Sequence, residues 1–301
     1  MKYIKFLYRK CYLLISFIKY FLDILITNKF SKTEYSSWRS FKFDILNKNY
    51  RLCSNIYDLR TFFVFKNTQK YKIEYLLNQQ LKNKYEIFYD IGANVGEFTI
   101  PSCEYFNQVI SFEPNPIIYS CLSHNVKSKK NCICSTDAIS NYKGKTLLKA
   151  RPLLSGGDSL KEINNFNQDH EKFYFPPDYL IETNVIKISD LLIDTKNIEK
   201  SFLIKIDTEG CEDKILIDFY ENIVTKELLK KQVLIMFENN TKTDIQFDFI
   251  ELLKKYFDAN FSCHAIFKNK NNTVNEQKIT IENLNYLVAK NCEIILKYEN
   301  K

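Results

Sequence analysis

A rhythm that begins near residue 85 does most to limit what this chain can fold into. Short apolar runs at 86–91, 109–113, 132–136, 202–206, 232–238, 262–267 and 284–289 alternate with stretches of helical spacing. Strand, turn and helix repeated in this way build a mostly parallel sheet, because each parallel neighbour needs a long crossover, and the crossover helices cover both faces. The runs are nearly continuous in apolar residues, as strands buried on both sides require. The expected fold class is α/β. With 301 residues, 45% of them hydrophobic, the chain suits one such domain with an extension.

The extension is expected over residues 1–67 and the main domain over 68–301, opening with a helix at about 68–82. Residues 1–70 carry 14 Lys and Arg against 4 Asp and Glu, a net of +10, which leaves −3 of the chain's +7 for residues 71–301. Basic character confined to one end, with a mildly acidic main domain, argues against nucleic acid as a partner. In the first 27 residues Lys2, Lys5, Arg9, Ser16, Lys19 and Asp23 form a narrow polar stripe on a broadly apolar helix. The uncharged run Cys11 to Ile18 is too short to span a bilayer. The helix packs on the protein's own body, lies on an anionic membrane surface through residues 1–28, or crosses the bilayer as a tilted, costly span. Phe41, Phe43 and Ile45 alternate as in a strand. Nine scattered cysteines without a C-x-x-C, and no recognisable signal peptide, point to reduced thiols and a cytoplasmic setting, peripheral on the inner face of the membrane if the helix binds there. Residues 151–184 and 268–278 read as irregular, the latter as a hairpin loop. His170 and the aromatic residues after it suit a lid over a sugar ring or a plain surface loop.

Glycine is rare, 6 of 301 residues against a usual share of about 7%. A chain that avoids glycine keeps it where the backbone takes positive φ or approaches something closely. Gly92 and Gly96 lie in "FYDIGANVGEFTI", at the first strand–helix turn. A nicotinamide fingerprint would read G-x-G-x-x-G, but Asn94 holds the middle position. Asp90 at the strand end suits an ammonium group better than a pyrophosphate. Glu113 ends the next run, 21 residues after Gly92, where a carboxylate can accept both hydroxyls of an adenosine ribose. Asp137 ends the third run and offers an acceptor to the adenine amino group. An adenosine that bears an amino acid fits this set: S-adenosylmethionine.

"FYDIGANVGEFTI", "VISFEPNP", "SGGDSL", "VIKISDLL", "FLIKIDTEGCEDKIL" and "VLIMFEN", in this order, resemble the FkbM-type S-adenosylmethionine-dependent methyltransferases over about residues 60 to 240. The resemblance implies a class I methyltransferase fold, Rossmann-like, with a seven-stranded sheet that has one antiparallel strand near its end and helices on both sides. It also implies O-methylation of hydroxyls, with a saccharide, glycan or glycolipid precursor as the expected acceptor. The cofactor site is expected at Asp90, Gly92, Ala93, Asn94, Gly96, Glu113, Asn115, Asp137 and Ala138. Asp207, Glu209 and Glu238 are the expected catalytic carboxylates, since an attacking alcohol needs its proton accepted. No metal ligand is assigned, although the same three carboxylates offer hard oxygen donors to Mg²⁺. Lys205, inside the strand that leads to Asp207, is expected to pair with carboxylates, because an unpaired buried ammonium is costly. A non-catalytic cofactor-binding or membrane-recruited scaffold, and a nicotinamide-dependent oxidoreductase, are the rival readings.

Overall fold

The computed structural model describes residues 31–32, 38–55, 58–151, 155–160, 179–239, 246–269, 273–284 and 292–299. The expected N-terminal amphipathic helix and the His170 segment lie outside these residues. The main sheet has eight strands, and the five from one edge inward are parallel: β6 (Cys132–Ser135) at the edge, then β5 (Gln108–Phe112), β4 (Ile87–Ile91), β10 (Phe202–Ile206) and β11 (Val233–Glu238). Beyond β11 come β14 (Glu293–Tyr298), antiparallel to both its neighbours, then β12 (Phe261–Lys268). These seven make the expected sheet with its one reversed strand. An eighth, β13 (Val274–Ile279), adds an edge through the β12–β13 hairpin. The hairpin expected at 268–278 is thus present, with its second half paired.

Two expectations need correction. The last strand is Glu293–Tyr298, not the run at 284–289, most of which lies outside the described residues. Only pairing with β11 and β12 selects it. The end of the stretch read as irregular is also a strand, β9 (Tyr179–Lys187), which pairs with β7 (Ala138–Ser140) and β8 (Gly144–Ala150) in a small separate sheet. Its half-exposed side chains leave no apolar run to notice.

Successive side chains of a strand point to opposite faces, and the inner strands divide accordingly. Ile87, Tyr89 and Ile91 belong to one buried cluster, with Phe202, Ile204 and Ile206 beside them and Val233, Ile235 and Phe237 next. Phe88, Leu203, Leu234 and Met236 belong to the other. The second cluster also takes in Trp38, Phe41, Phe43 and Ile45 of β2 (Trp38–Ile45) and Tyr50 and Leu52 of β3 (Lys48–Asn55). The extension therefore covers one face of the sheet and shares its core. His124, on the helix after β5, packs its ring edge-on against Trp38 at 5.9 Å. Helix α1 (Leu59–Phe65) follows β3, and α2 (Lys70–Asn83) stands where a helix was expected.

The same alternation places two charges inside. Asp90 shares parity with Phe88, Lys205 shares it with Leu203, and the strand register sets Lys205 directly beside Asp90. Asp90 is 0% and Lys205 3% exposed. Their ion pair measures 3.1 Å, and Asp90 Oδ2 accepts a 2.6 Å hydrogen bond from Thr99 Oγ1, which in turn meets Ser111 Oγ at 2.9 Å. Removing one partner of a buried pair leaves the other charge uncompensated. Asp90→Asn is therefore expected to lower unfolding stability by about 3–5 kcal/mol, read as a shift of the urea midpoint at constant slope.

Candidate functional site

The order of the parallel strands reverses direction at β4: the chain runs from β4 out through β5 and β6, then returns to add β10 on the other side of β4. In open α/β sheets the crevice for a ligand lies at the carboxyl ends of strands at such a point. A cavity of about 220 Å³ sits there, bounded by the ends of β4, β5, β10 and β11 and by the small sheet.

Its floor is the turn Gly92–Asn94, and the close approach that requires glycine is to the protein itself. Gly92 has φ +76°, and a Cβ on it would stand 1.9 Å from the carbonyl oxygen of Asp207. The Gly96 position, at φ +93°, is closed by Leu122, 3.0 Å from where a Cβ would be. Beneath the floor, Lys205 Nζ donates to the Gly92 carbonyl at 2.7 Å and reaches Asp207 Oδ2 at 3.8 Å. One ammonium thus ties both strand ends together, which is the pairing expected of Lys205.

Of the expected cofactor residues, Gly92, Ala93, Asn94, Glu113, Asp137 and Ala138 line the cavity. Asp90, Gly96 and Asn115 lie behind its wall. The contact between Asp90 and an ammonium group of the ligand, expected from its place at the strand end, is closed off in this arrangement: Thr99 and Lys205 occupy its two oxygens. Asn115 caps helix α4 (Pro116–Val126), counting α3 (Thr99–Ser102) before it. Asn115 accepts from Ile117 N and donates from Nδ2 to Asp158 Oδ2 at 2.7 Å. Glu113 accepts from the backbone N–H of Asn94 and of Asn115, each at 2.9 Å. Asp137 accepts from Ser135 Oγ at 2.6 Å, and Asn94 Nδ2 donates to Ser155 Oγ at 3.1 Å.

The other end of the cavity is acidic. Oxygens of Asp207, Glu209 and Glu238, the three expected catalytic residues, lie within 4.8 Å of one another. Burial opposes the charge on Asp207, but Lys205, Lys72 and Arg60 overcome it and hold the carboxyl below its ordinary value. Loss of water on its cavity side, then Asp207, Glu238 and Glu212, push Glu209 up to about 8, although the residue as a whole is exposed. Burial and Asp207 raise Glu238 as well. The turn that carries Glu209, itself at φ +54°, is locked by Glu212, whose oxygens accept from Thr208 N at 2.7 Å and Gly210 N at 2.9 Å. Glu212 is the first residue of α6 (Glu212–Phe219), which follows α5 (Ile188–Asp194), and its carboxylate binds the turn before the helix.

Sequence reasoning missed Arg60, Glu97 and Asp158, all of which line the cavity. Arg60 arrives from the extension on α1 and pairs with Glu97 at 3.2 Å. Asp158 stands in "SGGDSL", so the motif pointed at it without showing its direction.

A family model described as "Methyltransferase FkbM domain" matches residues 90–263, more than half of the 301. The chain belongs to the FkbM methyltransferase family. No curated protein matches it. Among solved structures, it is similar to Sp1610 of Streptococcus pneumoniae, a putative tRNA (m1A22) methyltransferase in complex with S-adenosyl-L-methionine, at 10% identity, 76% of this chain, 72% of that one and a TM-score of 0.39. It is also similar to M. jannaschii TYW2 in complex with AdoMet, at 14% identity, 90% of each chain and 0.36. A third is precorrin-6y C5,15-methyltransferase of Geobacter metallireducens GS-15, at 11% identity, 77% of this chain, 89% of that one and 0.37. TM-scores this low say nothing of the acceptor.

S-adenosylmethionine is the cofactor of this FkbM methyltransferase, and the cavity has the chemistry to take it. Glu113 uses one lone pair on each oxygen for a backbone N–H and keeps the others for a ribose diol. Ala138, Leu148 and Leu160 supply apolar wall for a base, and the carboxylates suit a cationic ligand.

Burial pushes the Glu113 carboxyl up to about 8 against the backbone N–H groups, with Asp158 adding to the rise. Its folded value thus lies above its ordinary 4.5, so the folded state holds a proton that the unfolded chain has lost. The stability this contributes is present below about pH 4.5 and lost as pH rises through about 8. In thermal melts, Glu113→Gln is expected to flatten the decline between those limits. Ribose hydroxyls favour the charged carboxylate, so cofactor binding at neutral pH should release protons, seen as a buffer-dependent heat in calorimetry that the same variant abolishes.

Proposed function

We propose that this FkbM methyltransferase transfers the methyl group of S-adenosylmethionine to a hydroxyl oxygen of a saccharide, glycan or glycolipid precursor. The observation that supports this reading most is the acidic end of the cavity: Asp207, Glu209 and Glu238 converge there, and Glu209 and Glu238 have no hydrogen bond or ion pair among the described residues. Methyl transfer from a sulfonium needs an oxygen held in line behind the methyl carbon with water excluded. As the oxygen–carbon bond forms, the carbon–sulfur pair returns to sulfur and the hydroxyl proton must go to a base. Free carboxylates at the cavity's far end are placed to accept that proton and to hold neighbouring hydroxyls. Among the described residues Lys205 and Arg60 are both bound to protein oxygens, which disfavours a phosphorylated acceptor.

Incubating the protein with methyl-labelled cofactor and fractionated saccharides and glycolipids should place the label on a saccharide hydroxyl. Glu238→Gln should lower kcat by about 10²–10⁴-fold while cofactor affinity stays within about twofold. Label in protein or nucleic acid alone would refute the acceptor class.

We also propose a cytoplasmic protein whose residues 1–28 rest on the anionic inner face of the cell membrane, on the strength of their basic stripe and apolar face. Among the described residues no helix is long and apolar enough to cross a membrane. Co-sedimentation with anionic liposomes should be lost when residues 1–28 are deleted and should weaken with salt; equal binding by the deleted protein would sink this placement.

A further inference from the structure

We infer that Arg60, on α1 of the N-terminal extension, binds the α-carboxylate in the methionine part of S-adenosylmethionine. The inference concerns the methyl donor alone and does not depend on which acceptor the enzyme methylates.

The need for such a residue follows from the charges of the cavity. S-adenosylmethionine carries a sulfonium, an ammonium and a carboxylate. Among the described residues seven acidic side chains line the cavity against two basic ones, Arg60 and Lys205. The two cationic groups of the ligand therefore find partners in plenty, while its carboxylate meets like charge unless a cation or a set of N–H donors takes it.

At a strand–helix turn the usual donors to an anion are backbone N–H groups. Here those of the glycine turn are engaged within the protein. Gly92 and Ala93 donate to the Phe112 carbonyl at 3.0 and 2.9 Å, and Gly96 donates to the Ala93 carbonyl at 2.9 Å. Asn94 N donates to Glu113 at 2.9 Å, and Val95 N to Asn94 Oδ1 at 3.0 Å. Lys205 is engaged as well: it is 3% exposed, and Asp90, the Gly92 carbonyl and the face of the Phe98 ring surround its ammonium.

Arg60 keeps capacity. A guanidinium has five N–H donors in a planar fork. Among the described residues only Nη2 is in use, donating to Glu97 Oε2 at 3.2 Å. The donors that remain match a carboxylate, which takes two parallel bonds from such a fork. The side chain is 17% exposed, open to the cavity yet largely shielded from water, where a bond between charges is stronger.

Contacts with the "SGG" turn set its direction. Asp58 Oδ1 accepts from the N–H of Arg60 at 2.8 Å and from that of Ser155 at 3.3 Å, so α1 and the turn share one anchor. The Arg60 stem crosses Gly156, where a Cβ would stand 3.1 Å from its Cδ. Ser155 in turn takes Asn94 Nδ2 at 3.1 Å. These ties bring the guanidinium beside the glycine turn, and its charge reaches Asp207, Glu209 and Glu238 at the acidic end. Arg60 precedes residues 90–263, so the extension completes the methyl-donor site of the matched domain.

The test compares S-adenosylmethionine with its decarboxylated form, which keeps the adenosine, sulfonium and amine and lacks only the carboxylate. Calorimetric titration of the full chain reads both affinities. Glu97→Gln is the reference, because Arg60→Met added to it leaves no buried Glu97 carboxylate unpaired. That addition should weaken S-adenosylmethionine by about 10–100-fold, the worth of hydrogen bonds to a charged group, and change the decarboxylated ligand by less than about threefold. Arg60→Lys in the natural sequence keeps the charge without the fork and should give an intermediate loss for S-adenosylmethionine alone. Unchanged affinity for S-adenosylmethionine, or an equal loss for both ligands, overturns the proposal, the second because it marks a structural role.

Discussion

One ammonium group under the first turn holds the site together. Lys205 Nζ meets Asp90 at 3.1 Å and the Gly92 carbonyl at 2.7 Å and approaches Asp207, so β4 and β10 end in a single fixed unit. The position follows from register, since two parallel strands paired Lys205 to Asp90 cannot avoid setting these side chains side by side on one face. A buried ion pair adds little net stability, because desolvation offsets most of its attraction. Its effect here is on position. Thr99 donates to Asp90, Ser111 meets Thr99 behind it, and the Asp207 backbone fills the space where any residue other than Gly92 would carry a Cβ. The cavity floor is thus held by contacts within the protein itself.

How much of this was legible in the sequence depends on how each feature is made. Strands β4, β5, β10 and β11 were visible because a strand buried on both faces writes an unbroken apolar run, and β6 and β12 because they carry short apolar runs although only partly buried. The small sheet was not, since β9 alternates exposed and buried residues within a polar stretch. Strand β14 was misplaced because two apolar runs stand near the chain's end, and only pairing with β11 and β12 selects "EIILKY". At the site, Glu113 and Gly92 could be found because a strand end is a position along the chain. Arg60 arrives by packing and carries no local signal, while Glu97 and Asp158 stand in quoted motifs whose letters do not say which way a side chain turns. Asp90 was legible but misread: it sits two residues after Phe88, so the strand's own period turns it inward, under the turn.

The bonding of the carboxylates divides the cavity into two ends with different tasks. At the nucleotide end each acid is already tied to protein donors: Glu113 to two backbone N–H groups, Asp158 to Asn115 and the Arg151 backbone, Asp137 to Ser135. Such groups are oriented in advance, and a ligand meets them without reorganisation. At the acceptor end Glu209 and Glu238 have no such ties, and Glu97 keeps one oxygen unsatisfied. Buried oxygens without a partner also occur away from the cavity, at Ser40, Asn67 and Gln80 among others, so the contrast between the two ends rests on the bonded and unbonded carboxylates and not on Glu97. The tied carboxylates stand where parallel strands and a glycine turn fix them, while the acidic end gathers charges, at Glu209 and Glu238, that no donor meets among the described residues.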